Sequence, residues 1–237
     1  MASDVFTVLV VCTGNLNRSA LGAALLDTWV KWYLPASMRE NVNVTSAGLE
    51  APVGRRMNRR AQAVAAALGA DGSAHRAAQL TEQDVRGADL VLVSSSIQRD
   101  KVLALVPAAL RSTFTIREAG RIAESLPVAD APGSIDEMRE RVSSIALNRS
   151  VAASGTGEGV GGDDIIDPQG KDDEAYRLMA QQEVPPLARI ASALFGMPPT
   201  EILAYDTAAE AAVFTFEGEA HDSLDDTRTR PRGRREA

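Results

Sequence analysis

The feature that most constrains the fold is an apolar run that leads directly into a glycine-containing turn and then into a helix-like stretch. Val8–Val11 is a β-type run, and Ala20–Trp29 is rich in alanine and leucine. The run predicts a buried strand and the stretch predicts a helix, so Cys12–Ser19 forms a strand-to-helix turn. Main-chain N–H groups converge in such a turn, and the helix N-terminus adds partial positive charge. The sequence therefore predicts a binding site for a tetrahedral oxyanion.

Cys12 lies at the start of this turn and is the only cysteine in the chain. Helix N-termini and nearby arginines stabilise a thiolate, which makes Cys12 a candidate nucleophile. Arg18 closes the turn, and its planar guanidinium suits bidentate contact with phosphate or arsenate oxygens. Ser19 offers a hydroxyl group beside the sulfur, whereas Asn15 tolerates the positive φ that a tight anion cradle requires. The alternative interpretation is a buried structural cysteine.

Val11–Ser19 resembles the signature of the low-molecular-weight protein tyrosine phosphatases and their arsenate reductase relatives. The similarity runs from about Val5 to Arg121 and resumes at Asp167-Pro168; it includes Ser46–Gly48, Gly54, Met57, His75–Ala77, Leu80-Thr81 and Ala88–Leu92. The resemblance implies an α/β fold with a short parallel sheet.

The resemblance also implies the roles of the site residues. Cys12, Arg18 and Asp167 are the expected catalytic residues. The expected phosphate-binding residues are Thr13, Gly14, Asn15, Leu16, Asn17, Arg18 and Ser19.

The expected general acid belongs to an Asp-Pro pair far along the chain. A residue before proline is held in extended geometry, which directs the carboxyl group of Asp167 away from the following helix. Asp163 and Asp164 are rival candidates. The competing interpretation is that Asp167-Pro168 only begins a helix near Lys171.

Several positions depart from the family pattern, among them Ala20, which stands where the family usually has proline. Asn17 stands where many members carry a second cysteine, so Cys12 has no partner for a protective disulfide. Gln169 stands where a tyrosine commonly follows Asp-Pro, and Glu50-Ala51 replaces an apolar or aromatic wall. The preference for phosphotyrosine therefore has less support than the thiol chemistry.

The expected function is a cysteine-dependent phosphatase that hydrolyses phosphomonoesters, with phosphotyrosine on proteins as substrate, through a cysteinyl-phosphate intermediate. One alternative is an arsenate reductase that uses an external small thiol, with arsenate and that thiol as its partners. Another is a phosphate-recognising interaction protein with little turnover. No cofactor and no metal site are predicted, because the remaining ligand candidates, His75 and His221, are far apart in sequence.

Composition excludes several classes of partner. The net charge of −7 argues against general attraction to nucleic acid or to a membrane surface. No apolar run approaches the roughly 20 residues of a membrane-spanning helix. Asp4 precedes the first apolar run, which argues against a signal peptide. The expectation is a cytoplasmic protein.

The predicted architecture is a short four-stranded parallel sheet with helices on both faces. The expected strands are Val5–Val11, Val42–Ser46, Leu90–Ser94 and Thr113–Ile116, and the expected helices are Ala20–Tyr33, Met57–Leu68, Ile97–Leu105 and Asp172–Leu194. Pro185-Pro186 predicts a break in the last of these helices.

The domain prediction is one phosphatase-like domain over residues 1–216, with an insertion at about 128–164 and a disordered tail over 217–237. Within the insertion, Ile135–Leu147 has a helical pattern. Ser154–Gly162 contains five glycines, which predicts a flexible loop. The segment Val213–Phe216 is a candidate for an edge strand or for packing on the core.

Overall fold

The strands form one parallel sheet in the part of the chain that the computed structural model describes, which is residues 5–149, 162–211, 214 and 216. The strands are β1 (Phe6–Cys12), β2 (Val42–Gly48), β3 (Leu90–Val93) and β4 (Thr113–Thr115). Their order is β2-β1-β3-β4, so β1 lies between β2 and β3. Cys12 pairs with Gly48, and Val11 pairs with Val93. The predicted four-stranded parallel sheet is confirmed.

Helices connect the strands and follow the sheet. They are α1 (Arg18–Tyr33), α2 (Ala36–Arg39), α3 (Arg59–Ala67), α4 (Glu82–Gly87), α5 (Ser96–Leu105), α6 (Ile116–Ser125), α7 (Ile135–Leu147), α8 (Asp173–Phe195) and α9 (Pro199–Ala211), with a 3₁₀ helix at Pro107–Arg111. Side-chain hydrogen bonds cap the N-termini of several helices. At the start of α4, Thr81 and Asp84 form a reciprocal capping box. None of the helices in the described ranges is long and apolar enough to cross a membrane.

The core lies on both faces of the sheet because β1 is buried on both sides. Val8 and Val10 face the larger cluster, to which α1, α6 and α8 contribute. Leu9 and Val11 face the smaller cluster, which includes Val85 of α4 and Val102 of α5. The helices on both faces agree with the prediction, and the parallel strands bring their carboxyl ends to one edge of the sheet.

The predicted break at Pro185-Pro186 is wrong, because α8 continues from Asp173 to Phe195. Each proline removes an amide donor, at a usual cost of about 3 kcal/mol. The helix is held in place by close packing, since Pro186 lies against Gly120 of α6, where an added Cβ would be 2.4 Å from the proline Cβ. Arg189 Nη1 also donates to the carbonyl oxygen of Pro185 at 3.0 Å. Packing therefore outweighs the local preference for a break.

The insertion and the tail are described only in part. The predicted helix at Ile135–Leu147 is present as α7, whereas Ser154–Gly161 and residues 217–237 lie outside the described residues. Phe214 is 5% exposed and belongs to the larger core cluster. Phe216 packs against that cluster, but neighbouring residues 213 and 215 are outside the description, so the edge strand and the domain division stay predictions.

Candidate active site

The sulfur of Cys12 lies at the bottom of the turn between β1 and α1. The residue is 2% exposed. Ser19 Oγ lies 3.0 Å from Sγ, and the amide of Asn15 donates to Sγ at 3.2 Å. Asn17, the N-cap residue of α1, makes no side-chain cap, and the first turn contains no acidic residue. The first turn of α1 therefore does not offset the partial positive charge at the helix N-terminus, and this charge can stabilise an anion bound above the sulfur.

Asn15 fixes the shape of this turn, which we call the phosphate loop (Cys12–Ser19). Its φ is 53°, and Asn is the non-glycine residue type that adopts this conformation most readily. Its side-chain Nδ2 donates to Ser19 Oγ at 2.8 Å and to Ser46 Oγ at 2.9 Å. Its side-chain oxygen accepts from the amide of Ala78 at 2.9 Å. One buried side chain thus ties the phosphate loop to β2 and to the chain beyond it.

His75 supports the same residue from the opposite side. Its Nε2 lies 2.7 Å from the carbonyl oxygen of Asn15. Burial lowers the pKa of His75 from its usual 6.5; the bond to Asn15 acts against that shift, and the charge of Arg76 adds to it. A neutral ring with its proton on Nε2 donates to the carbonyl group. This contact agrees with a structural role for His75.

Arg18 brings the acid candidate to the phosphate loop. Its guanidinium is buried, with Nη2 2.7 Å from Asp167 Oδ2 and Nη1 donating to the carbonyl oxygen of Ile165 at 3.2 Å. The side chain of Asp167 is 48% exposed, so it stands at the mouth of the site. The structure therefore collects Cys12, Arg18 and Asp167 at one edge of the sheet.

The two rival aspartates are engaged away from the sulfur. Asp163 forms an ion pair with Arg121 of α6. Asp164 Oδ1 accepts from the amide of Ser96 at 2.7 Å and from its hydroxyl group at 3.0 Å, at the start of α5. Both carboxylates anchor the segment that carries Asp167, which we call the acid loop (Asp163–Gly170).

Two departures from the family pattern contact each other across the site. Asn17 Nδ2 donates to Gln169 Oε1 at 2.9 Å, which joins the phosphate loop to the acid loop. The hydroxyl group of Tyr176 on α8 donates to Asn17 Oδ1 at 3.4 Å. Asn17 thus makes structural contacts at a position where a cysteine is common.

The other residues predicted for phosphate binding are held by their surroundings. Gln98 Nε2 donates to Thr13 Oγ1 at 3.2 Å, and the amide of Asn58 donates to the carbonyl oxygen of Leu16 at 3.0 Å. Gly14 has open space where a Cβ would be. Within the described residues, no group of three or more His, Cys, Asp or Glu is placed to hold a metal ion.

Sequence reasoning missed Glu183, a fully buried carboxyl group on α8. Neither of its oxygens has a hydrogen-bond partner among the described residues. Gly22 of α1 makes room for it, since a Cβ there would be 2.9 Å from Glu183 Oε1. Burial raises the pKa of Glu183 well above its usual 4.5, and the positive charge of Arg18 opposes the shift. The Nε of Arg18 also lacks a partner within the described part.

The sequence does contain a signal for this residue. Tyr176, Met179, Ala180 and Leu187 are buried on the inner face of α8, and position 183 falls on the same face at helical spacing. A charged residue on an apolar helical stripe is uncommon and marks a buried polar group.

The family model described as low molecular weight phosphotyrosine protein phosphatase matches residues 7–130. The chain belongs to that family. The match includes the phosphate loop and stops before Asp167.

Relatives in this phosphatase family share the same region. A probable low molecular weight protein-tyrosine-phosphatase, EpsP, from Ralstonia nicotianae is 39% identical over 124 residues, which are 52% of this chain and 77% of that protein. A protein-arginine-phosphatase from Geobacillus stearothermophilus is 33% identical over 113 residues, 48% of this chain and 70% of the relative.

A solved structure of an arginine phosphatase has a similar fold. The YwlE arginine phosphatase structure from Geobacillus stearothermophilus aligns with a TM-score of 0.54 and 29% identity, over 84% of this chain and 96% of that chain. With the family established and Cys12 in the position of the phosphate-loop cysteine, the protein is a cysteine-dependent phosphatase. The arsenate reductase and binding-protein alternatives are not favoured.

Proposed function

We propose that this phosphatase hydrolyses phosphotyrosine on proteins, with Cys12 as nucleophile, Arg18 as the phosphate-binding cation and Asp167 as general acid and base. The observation that carries the proposal is the 2.7 Å contact between Arg18 and Asp167, because it joins an acid distant in sequence to the phosphate loop. The relatives named as protein tyrosine phosphatases support the substrate class.

In the first step the thiolate of Cys12 attacks phosphorus opposite the ester oxygen. The S–P bond forms as the P–O bond breaks, and Asp167 gives its proton to the leaving oxygen. Arg18 and the amides of the phosphate loop hold the three equatorial oxygens, where charge accumulates in the transition state. Ser19, 3.0 Å from the sulfur, stabilises the thiolate by hydrogen bonding.

In the second step water hydrolyses the cysteinyl-phosphate. Asp167, now ionised, takes a proton from the water as its oxygen attacks phosphorus. The S–P bond breaks, and the thiolate of Cys12 and inorganic phosphate are released. Ser19 makes the sulfur a better leaving group by donating to it as its charge returns.

The test is the hydrolysis of an aryl phosphate by the full chain and by two variants. We expect Cys12→Ser to abolish turnover and Asp167→Asn to lower kcat by about a hundredfold or more, the usual contribution of a general acid. Mass spectrometry of the quenched parent protein is expected to detect phosphate on Cys12.

Asp164→Asn is the matched control, because this acid lies on the same loop and bonds Ser96 instead of Arg18. If Asp164→Asn proves as slow as a Cys12 variant while Asp167→Asn keeps full rate, the acid has been assigned to the wrong residue. An absence of turnover in the parent protein would reject the whole proposal.

Phosphoarginine on proteins is a second candidate substrate. It is favoured by the protein-arginine-phosphatase relative and by the arginine phosphatase structure, which aligns over 96% of its own length. The same loop suits both substrates, since each carries a terminal phosphoryl group with a proton-accepting leaving atom. Matched peptides that carry phosphotyrosine, phosphoserine or phosphoarginine distinguish them by kcat/KM.

The partners that follow from this function are phosphorylated proteins or small phosphoesters. We propose a cytoplasmic location, because a reducing compartment preserves a nucleophilic thiol that has no second cysteine for protection. Loss of activity after mild peroxide treatment, without recovery on adding a thiol, is the expected behaviour of Cys12 once it is oxidised beyond sulfenic acid.

A further inference from the structure

Arginines are concentrated beside the phosphate loop of a chain with a net charge of −7. They belong to the segment Val53–Arg60, which we call the rim segment. Its arginines are Arg55, Arg56, Arg59 and Arg60. Positive charge that gathers at one place on an acidic protein marks a surface that attracts anionic partners.

The rim segment is fixed against the site by its backbone. It follows β2 and leads into α3, and the amide of Asn58 donates to the carbonyl oxygen of Leu16 at 3.0 Å. The amide of Ala77 donates to the carbonyl oxygen of Arg55 at 2.8 Å, while Met57 is buried beneath the segment. These contacts hold the arginines next to the opening of the phosphate loop.

One of the four rim arginines has an acidic partner among the described residues, and the other three do not. Arg60 is paired, with Nε 2.5 Å from Asp173 Oδ1. Arg55, Arg56 and Arg59 are exposed and form no ion pair with any described residue. Their side chains are therefore available to a partner.

Other charges near the phosphate loop are paired. Glu50, which follows β2, pairs with Lys101 of α5 at 3.2 Å, and Asp167, whose side chain is 48% exposed, pairs with the buried Arg18. The unpaired charges of the rim segment are therefore positive.

We propose that Arg55, Arg56 and Arg59 form a docking surface for an acidic peptide segment next to the phosphorylated residue of a protein substrate. The proposal rests on the proposed function, since the phosphate loop must hold the phosphoryl group while the neighbouring residues of the substrate cross the rim segment. Guanidinium groups bind carboxylates in bidentate geometry, which suits aspartate or glutamate side chains. A single exposed ion pair between an arginine and a carboxylate contributes little binding free energy, so the three arginines act together. Because dissolved ions screen exposed charges, the contribution of the arginines to substrate binding falls as the salt concentration rises.

The test compares substrates that differ only in charge. The parent protein and the triple variant Arg55→Ala, Arg56→Ala, Arg59→Ala are assayed with an aryl phosphate, a neutral phosphotyrosyl peptide and a peptide in which acidic residues flank the phosphotyrosine. We expect the triple variant to lose about tenfold in kcat/KM on the acidic peptide alone. Added salt should reduce the preference of the parent protein for that peptide.

A second triple variant, Lys31→Ala, Arg86→Ala, Arg111→Ala, is the matched control. It removes the same charge at the other end of the sheet, because Lys31 is in the last turn of α1 while Arg86 and Arg111 precede the first residues of β3 and β4. We expect this control to keep the activity of the parent protein on all three substrates.

Three results would overturn the docking surface. The first is an unchanged preference for the acidic peptide in the rim variant, and the second is an equal loss in the control. The third is faster hydrolysis of the aryl phosphate by the rim variant, which would mean that the protein's own acidic residues occupy the arginines. A parent protein that hydrolyses the aryl phosphate keeps the proposed function in each case.

Discussion

Glu183 is a carboxyl group in a fully buried position without a hydrogen-bond donor in the described part of the chain. Burial raises its pKa in the folded protein, so folding favours the protonated form. The unfolded chain releases this proton near pH 4.5, whereas the folded chain keeps it to higher pH. The contribution of Glu183 to the free energy of unfolding is therefore complete below that pH and falls as pH rises toward the folded pKa.

We expect Glu183→Gln to remove this dependence. The variant should gain stability relative to the parent protein as pH rises above about 4.5, because only the parent carries a carboxyl group that burial keeps from ionising. Urea unfolding at several pH values measures the difference, with the exposed Glu140→Gln as control for the loss of one acidic side chain. A difference between parent and Glu183→Gln that stays constant with pH would contradict the assignment.

At the residue scale, the sequence predicts the residues that bind the anion better than it predicts the residues that hold them in place. Cys12, Arg18 and Ser19 were predicted because their types and spacing in a strand-to-helix turn indicate anion binding. The bonds that fix Asn15 were not predictable, since Ser46 and Ala78 approach it only after the sheet has formed. Glu183 does carry a sequence signal, its position on the apolar face of α8, but that pattern does not show that Gly22 of α1 lies against its carboxyl group.

Among the elements, α6 and α8 pack so closely that only glycine fits at position 120. A Cβ at Gly120 would lie 2.6 Å from the Cα of Pro186 and 3.0 Å from its carbonyl oxygen, and backbone atoms cannot move aside cheaply. We expect Gly120→Ala to lower the free energy of unfolding by about 1–3 kcal/mol through overpacking. Thermal or urea unfolding measures the effect.

Gly87→Ala is the matched control for that substitution. Gly87 ends α4, and nothing lies within 4 Å of the Cβ that alanine would add. Alanine is the better helix former, so we expect no loss of stability there. Equal destabilisation by both substitutions would show that the α6–α8 contact is not the cause.

The sequence predicts β1 and α1 correctly, whereas it does not predict α4 or α6. The apolar run of β1 and the pattern of α1 identify both elements without any neighbour. By contrast, α4 is a six-residue helix whose stability comes from its capping box and from Val85 in the smaller core. The continuity of α8 across Pro185 depends on α6, which sequence patterns cannot report.

At the scale of the whole molecule, the acid loop is anchored at three places that are far from it in sequence. The amide of Ile165 donates to the carbonyl oxygen of Ser94 at 2.9 Å, and that of Ile166 donates to Gln182 Oε1 at 2.8 Å. The ion pair of Asp163 with Arg121 adds a third anchor. These bonds anchor the acid loop within the described part of the chain.

We therefore expect deletion of Ser154–Gly161 to change kcat/KM for a small aryl phosphate by less than about twofold. Steady-state kinetics of the shortened protein tests this, and Asp163→Ala, which removes one anchor, is the comparison expected to be slower. A large loss on deletion with little effect of Asp163→Ala would assign the positioning of the acid to the insertion instead.

The buried guanidinium of Arg18 already holds one anion, the carboxylate of Asp167, at 2.7 Å. Under the proposed function, a phosphate ester competes with this carboxylate for the same guanidinium. Once displaced, Asp167 must take up a proton from solvent before it can protonate the leaving oxygen, because an ionised carboxylate has no proton to give. The same competition lowers the affinity of the site for inorganic phosphate.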